Sequence, residues 1–109
     1  MLKVINNKYT VTPKADSDLA REFQALAAVT DAVFSIGGWL RGTNTYLSSV
    51  SSYNITSNTW RGDLPELIEA RYSGSACVLG AMIYVFCGKN YSNRCINSIE
   101  TIPVTSLVP

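Results

Sequence analysis

The chain has 109 residues, 47% of them hydrophobic, which suits one small domain with a core. Charged residues make up only 16% and the net charge is +1, so no basic field points to nucleic acid and no acidic tail to a basic partner. With no histidine present, Ser-His-Asp and Cys-His catalysis in their usual forms are excluded, and the commonest transition-metal ligand is missing.

From Met1 to Lys14 no long apolar run appears, so no signal peptide is expected. Residues 8–12, around Tyr9, read as a short strand. The next stretch, Pro13 to Ala28, looks helical on its own: Asp16-Ser17-Asp18 precedes Leu19, and alanines follow. An internal repeat overrules that reading. AREFQALAAVTDAVFSIGG, Ala20 to Gly38, aligns with one gap to ARYSGSACVLGAMIYVFCGK, Ala70 to Lys89. Both open on Ala-Arg and an aromatic residue. Each then gives an apolar run, a two-residue turn at Thr30-Asp31 or Gly80-Ala81, a second apolar run and a glycine stop. The partner of the helical-looking stretch is SGSACVL, a strand sequence, so strand is expected in both copies.

The repeat continues with SSVSSYNIT, from Ser48, matching NSIETIPVT, from Asn97, and it extends backwards to put Tyr9 in the place of Trp60. Strands are predicted at Leu47 to Asn54, Thr59 to Asp63, Ser73 to Leu79 and Met82 to Cys87, each bounded by Gly, Pro, Asn or Asp. Only Pro65 to Ala70 retains a helical look. The period is about fifty residues with four short strands, which points to sheets repeated around an axis.

The order strand, Gly37-Gly38, variable loop, Tyr53, Trp60, Leu64-Pro65 and Ala70-Arg71 resembles the kelch repeat, one blade of a β-propeller. The second copy keeps Gly88, has Lys89 for the second glycine and Ile102 for the tyrosine, and ends before a tryptophan. The resemblance implies an all-β fold of kelch-type blades, each a four-stranded antiparallel sheet. Residues 8–12 would be an orphan fourth strand, 20–64 a full blade and 70–105 three strands of a second blade. A propeller needs about four to eight blades. The chain is therefore expected to be a partial propeller, a piece of a longer kelch protein, or one completed by oligomerisation. In the last case the Tyr9 strand of one copy would complete the last blade of the next, in a head-to-tail ring.

Gly37, Gly38, Tyr53, Trp60 and Gly88 are expected to hold the blades together. By the resemblance, the loops after the glycines lie on one rim, where kelch proteins often contact a partner peptide. Trp39, Arg41, Asn44 and Tyr46 would sit there, with Lys89, Asn90, Tyr91 and Arg94, while Arg71 and Tyr72 would enter from the neighbouring loop. Arginine and aromatic residues are the types enriched at binding hot spots, and arginine forks suit carboxylates. The expected function is thus a protein-interaction scaffold binding a partner peptide, with an acidic or phosphorylated bias read by Arg41 and Arg94. A sugar-binding or sugar-processing site in a central channel is the alternative. A fragment without independent function is the other. No catalytic constellation, cofactor, metal site, nucleic-acid partner or membrane span is expected.

The cysteines, Cys77, Cys87 and Cys95, have spacings that fit no zinc knuckle, and their odd number suits a reducing, cytoplasmic setting. On a hairpin turning at Gly80-Ala81, Cys77 and Cys87 fall on opposite faces and should not pair, which leaves Cys95 in its loop as the reactive one. Asp16, Asp18, Glu22, Glu66 and Glu69 read as solvated loop charges. The N-x-S/T sequences at Asn54 and Asn90 read as turns.

Overall fold

A computed structural model describes residues 2–3 and 10–104, the first pair by backbone alone. Strand β1 (Leu2–Lys3) pairs with β2 (Thr10–Val11). Tyr9, the centre of the predicted orphan strand, and Thr105, the end of the last, lie outside the described residues. Strand β3 (Arg21–Glu22) pairs with β6 (Trp39–Leu40). The first large sheet has the order β4 (Ala25–Ala28), β5 (Ala32–Ile36), β7 (Val50–Asn54), β8 (Thr59–Arg61). The second is three-stranded, with β9 (Ser75–Leu79) and β11 (Ile99–Pro103) flanking β10 (Met82–Phe86). Every pairing is antiparallel.

The described residues contain no α-helix. Pro13 to Ala28 carries β3 and β4, because Ala25 and Ala27 are buried while Leu26 and Ala28 are exposed, a period of two. Pro65 to Ala70 is likewise an irregular connection.

The sheets pack face to face, β4 against β9. Ala25, Ala27, Phe34, Ile36 and Val50 of the first sheet meet Ile83, Val85 and Ile102 of the second, with Ala76 and Val78 partly buried beside them. Leu64 and Leu67, in the connection between the sheets, complete this core. Phe34, Val50, Ile83 and Val85 retain no exposure, and each such burial is worth roughly 1.5–3 kcal/mol.

Two arginines fifty positions apart hold the sheets by the same pair of carbonyl bonds and differ in what their second nitrogen meets. Arg21 Nη1 donates to the carbonyls of Gly37 and Ser49, at 2.9 and 3.0 Å, and Nη2 to Ser51 Oγ at 2.7 Å. Arg71 Nη1 donates to the carbonyls of Cys87 and Ser98, at 3.1 and 3.0 Å. Its Nη2 donates to Ser98 Oγ at 3.0 Å and Glu100 Oε2 at 2.7 Å.

The backbone also corrects the alignment of the repeats. Gly37 and Gly38 have φ of 64° and 99°, and the residues with matching values are Cys87 at 54° and Gly88 at 94°. Phe23 and Ser73 match likewise, at 55° and 58°. The copies therefore superpose without a gap here, with Cys87 in the place of Gly37 and Lys89 in that of Trp39. At Gly38 and Gly88 a Cβ would lie 2.7 Å from Glu22 O and 2.6 Å from Tyr72 O, so both need glycine.

Tyr53 and Trp60 face each other across β7 and β8, with ring centroids 5.2 Å apart. They stand on the face of the first sheet opposite the core. There Trp60 Nε1 donates to Ala15 O at 3.0 Å, and Tyr53 Oη donates to Asn58 Oδ1 at 2.6 Å. The pair thus ties the connection around Ala15 to the sheet.

Candidate functional site

Where the inner ends of the sheets meet, short pairings fan out into loops. Trp39 faces Glu22 across β3 and β6, and faces Tyr46 through an isolated bridge. Cross-strand partners share a face, so Glu22, Trp39 and Tyr46 form one row. Tyr72 enters from the second sheet, its N–H bonded to Lys89 O at 3.0 Å and its carbonyl to Lys89 N at 2.8 Å. Ser73 N donates to Phe23 O at 2.8 Å, a bond that joins the sheets. Phe23 is turned outward by its left-handed backbone and is 59% exposed.

The result is a cup of about 200 Å³ lined by Phe23, Trp39, Tyr46 and Tyr72. Tyr46 and Tyr72 have centroids 5.3 Å apart and planes at 32°; Phe23 and Tyr72 are 6.5 Å apart at 57°. Tilted rings at these distances form walls around a space instead of a closed stack.

Two folded loops flank the cup. Trp39 Nε1 donates to Thr43 O, Thr43 Oγ1 to Leu40 O at 2.8 Å, and Thr45 N to Thr43 Oγ1 at 3.0 Å. In the second loop Asn90 Oδ1 accepts from Ser92 N at 3.0 Å and Arg94 N at 3.2 Å. Tyr72 Oη donates to Asn93 Oδ1 at 3.0 Å, which fixes its ring against that loop.

Of the residues expected on a binding rim, Trp39, Tyr46 and Tyr72 converge on this cup. Asn44, Arg94 and Tyr91, the last 77% exposed, stand on the loop tips. Arg41 is also exposed, and its Nη1 lies 3.3 Å from Glu22 Oε1. Lys89 and Asn90 are half-buried and carry the backbone of their loop. Arg71 is a correction: it is 2% exposed and bonded to Glu100, so it clamps the second sheet and offers nothing to a partner.

Phe23 was not among the expected residues; in sequence it is one aromatic beside Arg21-Glu22, with nothing to mark its outward turn. The acidic residues are also more engaged than expected. Asp18 Oδ2 accepts from Ser51 Oγ at 2.8 Å, and Glu66 Oε1 from Ser48 Oγ at 2.6 Å. Burial lowers the pKa of Arg21 from its ordinary value, and the nearby charge of Asp18 opposes that shift. Cys77 faces Tyr84, as the hairpin argument required, yet all three cysteines are free and exposed, so exposure does not single out Cys95. Among the described residues, no three His, Cys, Asp or Glu side chains are grouped to hold a metal ion, and no helix is long and apolar enough to cross a membrane.

Comparison with known proteins agrees with this architecture. The family pattern described as "Kelch motif" matches residues 20–62. A curated relative, "Kelch repeat protein M-T9" of Myxoma virus (strain Lausanne), is 31% identical over 75 residues. The match covers 69% of this chain and 14% of that protein, so the chain spans about a seventh of the relative's length.

Proposed function

The chain belongs to the kelch-repeat family, and on that premise we propose that it is a protein-interaction module whose partner peptide docks on the rim around the aromatic cup. Kelch repeats generally mediate protein–protein contacts, and the observation that carries the reading here is the convergence of Phe23, Trp39, Tyr46 and Tyr72. Three of these are of the types that dominate binding energy, and they are ringed by loop residues able to exclude water. Asn44, Tyr91 and Arg94 are the exposed contacts such a rim offers.

The cup itself does not suit a sugar. At about 200 Å³ the cup is below the roughly 300–1,000 Å³ typical of small-molecule pockets, and it is of a size to take one side chain.

Selection of a random peptide display library on the immobilised chain tests the proposal. Enriched peptides should bind the wild-type chain and lose at least tenfold in affinity on Tyr46→Ala or Tyr91→Ala. Enriched peptides indifferent to both substitutions would overturn it.

A further inference from the structure

The chemistry of the cup selects among peptide side chains. This step rests on the reading of the rim as a partner-binding surface. We propose that the cup receives an arginine side chain of the partner, its guanidinium held between the rings and against the carboxylate of Glu22.

The first support is the wall. Four aromatic side chains line one space, three of them with rings tilted against one another, and the π faces of such rings attract a desolvated cation. A planar guanidinium can also stack on such rings, which an ammonium cannot. The second is a charge one strand away from the wall, on the cross-strand partner of Trp39. Glu22 stands in the same row as Trp39 and Tyr46, with its side chain 30% exposed. The third is that Glu22 already takes a guanidinium. Arg41 reaches one of its oxygens at 3.3 Å from a side chain that is 75% exposed, a loose contact that a better-placed arginine can displace. A bidentate pair in the lee of the rings would be the stronger bond.

The same facts weigh against an acidic side chain in the cup. Among the described residues, no arginine or lysine lines the cup, and Arg71 is buried on Glu100. A cation on the other side of the cup is Lys89, which stands across from Tyr72 in the second sheet's row. Glu22 and Lys89 therefore make opposite forecasts, and their substitution decides between an arginine and a carboxylate.

The test is an NMR titration of the chain with N-acetylarginine methylamide and, separately, its neutral isostere N-acetylcitrulline methylamide. The arginine probe should shift the Trp39 indole N–H and the Phe23, Tyr46 and Tyr72 ring signals, with at least tenfold tighter binding than citrulline. Glu22→Gln should weaken it about fivefold or more while keeping a wild-type pattern of amide shifts, and Lys89→Gln should leave it unchanged or tighter. Equal binding of citrulline would overturn the proposal, as would weakening by Lys89→Gln with tightening by Glu22→Gln. No shift at the cup, while display-selected peptides still bind through the rim, would reject the arginine and leave the rim reading standing. Selective arginine binding with no peptide ever enriched would do the reverse.

Discussion

Arg21 and Arg71 make matching bonds in successive sheets, yet only one of them is sealed. Arg71 lies in the joint between the sheets, 2% exposed, and its partner Glu100 projects from β11. Glu100 also accepts from Ile68 N at 2.6 Å and Glu69 N at 3.1 Å, so the ion pair fastens the connection to the sheet. Arg21 lies on the outer face of the first sheet, half-buried, and the carboxylate near its guanidinium among the described residues is the exposed one of Asp18. A dry joint demands a carboxylate in direct contact; a face open to water does not.

The connections differ in the same sense. Leu64 and Leu67 are buried in the joint, whereas Lys14 and Ser17, fifty positions earlier, are exposed. Each end of the molecule thus departs from the joint at its centre. The outer face of the first sheet lacks the two leucines. The free face of the second, which exposes Leu79 and Ile99, has Cys87 where the joint has a glycine.

The largest effect should come from the arginines. Arg71→Ala strands Glu100 inside the joint and should cost about 3–5 kcal/mol. Arg21→Ala, with water at hand, should cost about 1–2 kcal/mol. Urea denaturation of the two variants measures the difference directly. Equal losses would dissolve the distinction between a sealed and an open arginine.

Next in size is Gly37→Ala. A Cβ at Gly37 would lie 2.6 Å from Arg71 O, the very carbonyl that accepts from Gly38 N at 2.8 Å, so the second sheet would have to move. Alanine at a φ of 64° adds its own strain. Together these should cost about 2–4 kcal/mol in the same urea measurement. A loss below about 1 kcal/mol would mean that the joint yields more easily than its contacts suggest.

Much of this was legible in the sequence, and for definite reasons. Alternation and turn residues marked β5, β7, β9 and β10 to within a few positions. The repeat corrected the helical appearance of Pro13 to Ala28, because alanine's helix propensity is weak beside the need of Ala25 and Ala27 to face Phe34 and Ile36. What could not be read was depth. An arginine before an aromatic looks the same whether it meets solvent or Glu100; the available signal was its recurrence after alanine at the start of both copies, which marks a repeated structural duty. The cup was half legible: Trp39, Tyr46 and Tyr72 were expected on the rim, but Phe23 joins them only through a left-handed turn that its residue type disfavours. The one-residue gap in the alignment arose because identity drew Gly-Gly toward Gly-Lys, while the backbone sets Cys87 opposite Gly37.

That substitution supplies the smallest effect and the sharpest use of the comparison. Cys87 holds a φ of 54° with a Cβ in place. Relief of that strain by Cys87→Gly should exceed glycine's extra freedom in the unfolded chain and stabilise by about 0.5–1 kcal/mol. Gly37→Ala and Cys87→Gly are then the same exchange with opposite signs, because one site is pressed by the next sheet and the other is not. The variant has a second readout. A copy docking head to tail in the geometry of the internal joint would bring a carbonyl against Cys87 as Arg71 O stands against Gly37, and the Cβ would obstruct it. Light scattering should therefore give the wild-type chain its single-chain mass of 11.9 kDa, with any self-association appearing first in Cys87→Gly. A wild-type chain that already forms a discrete ring would show that closure uses a joint unlike the internal one, and Cys87 would then have to be read as part of that joint.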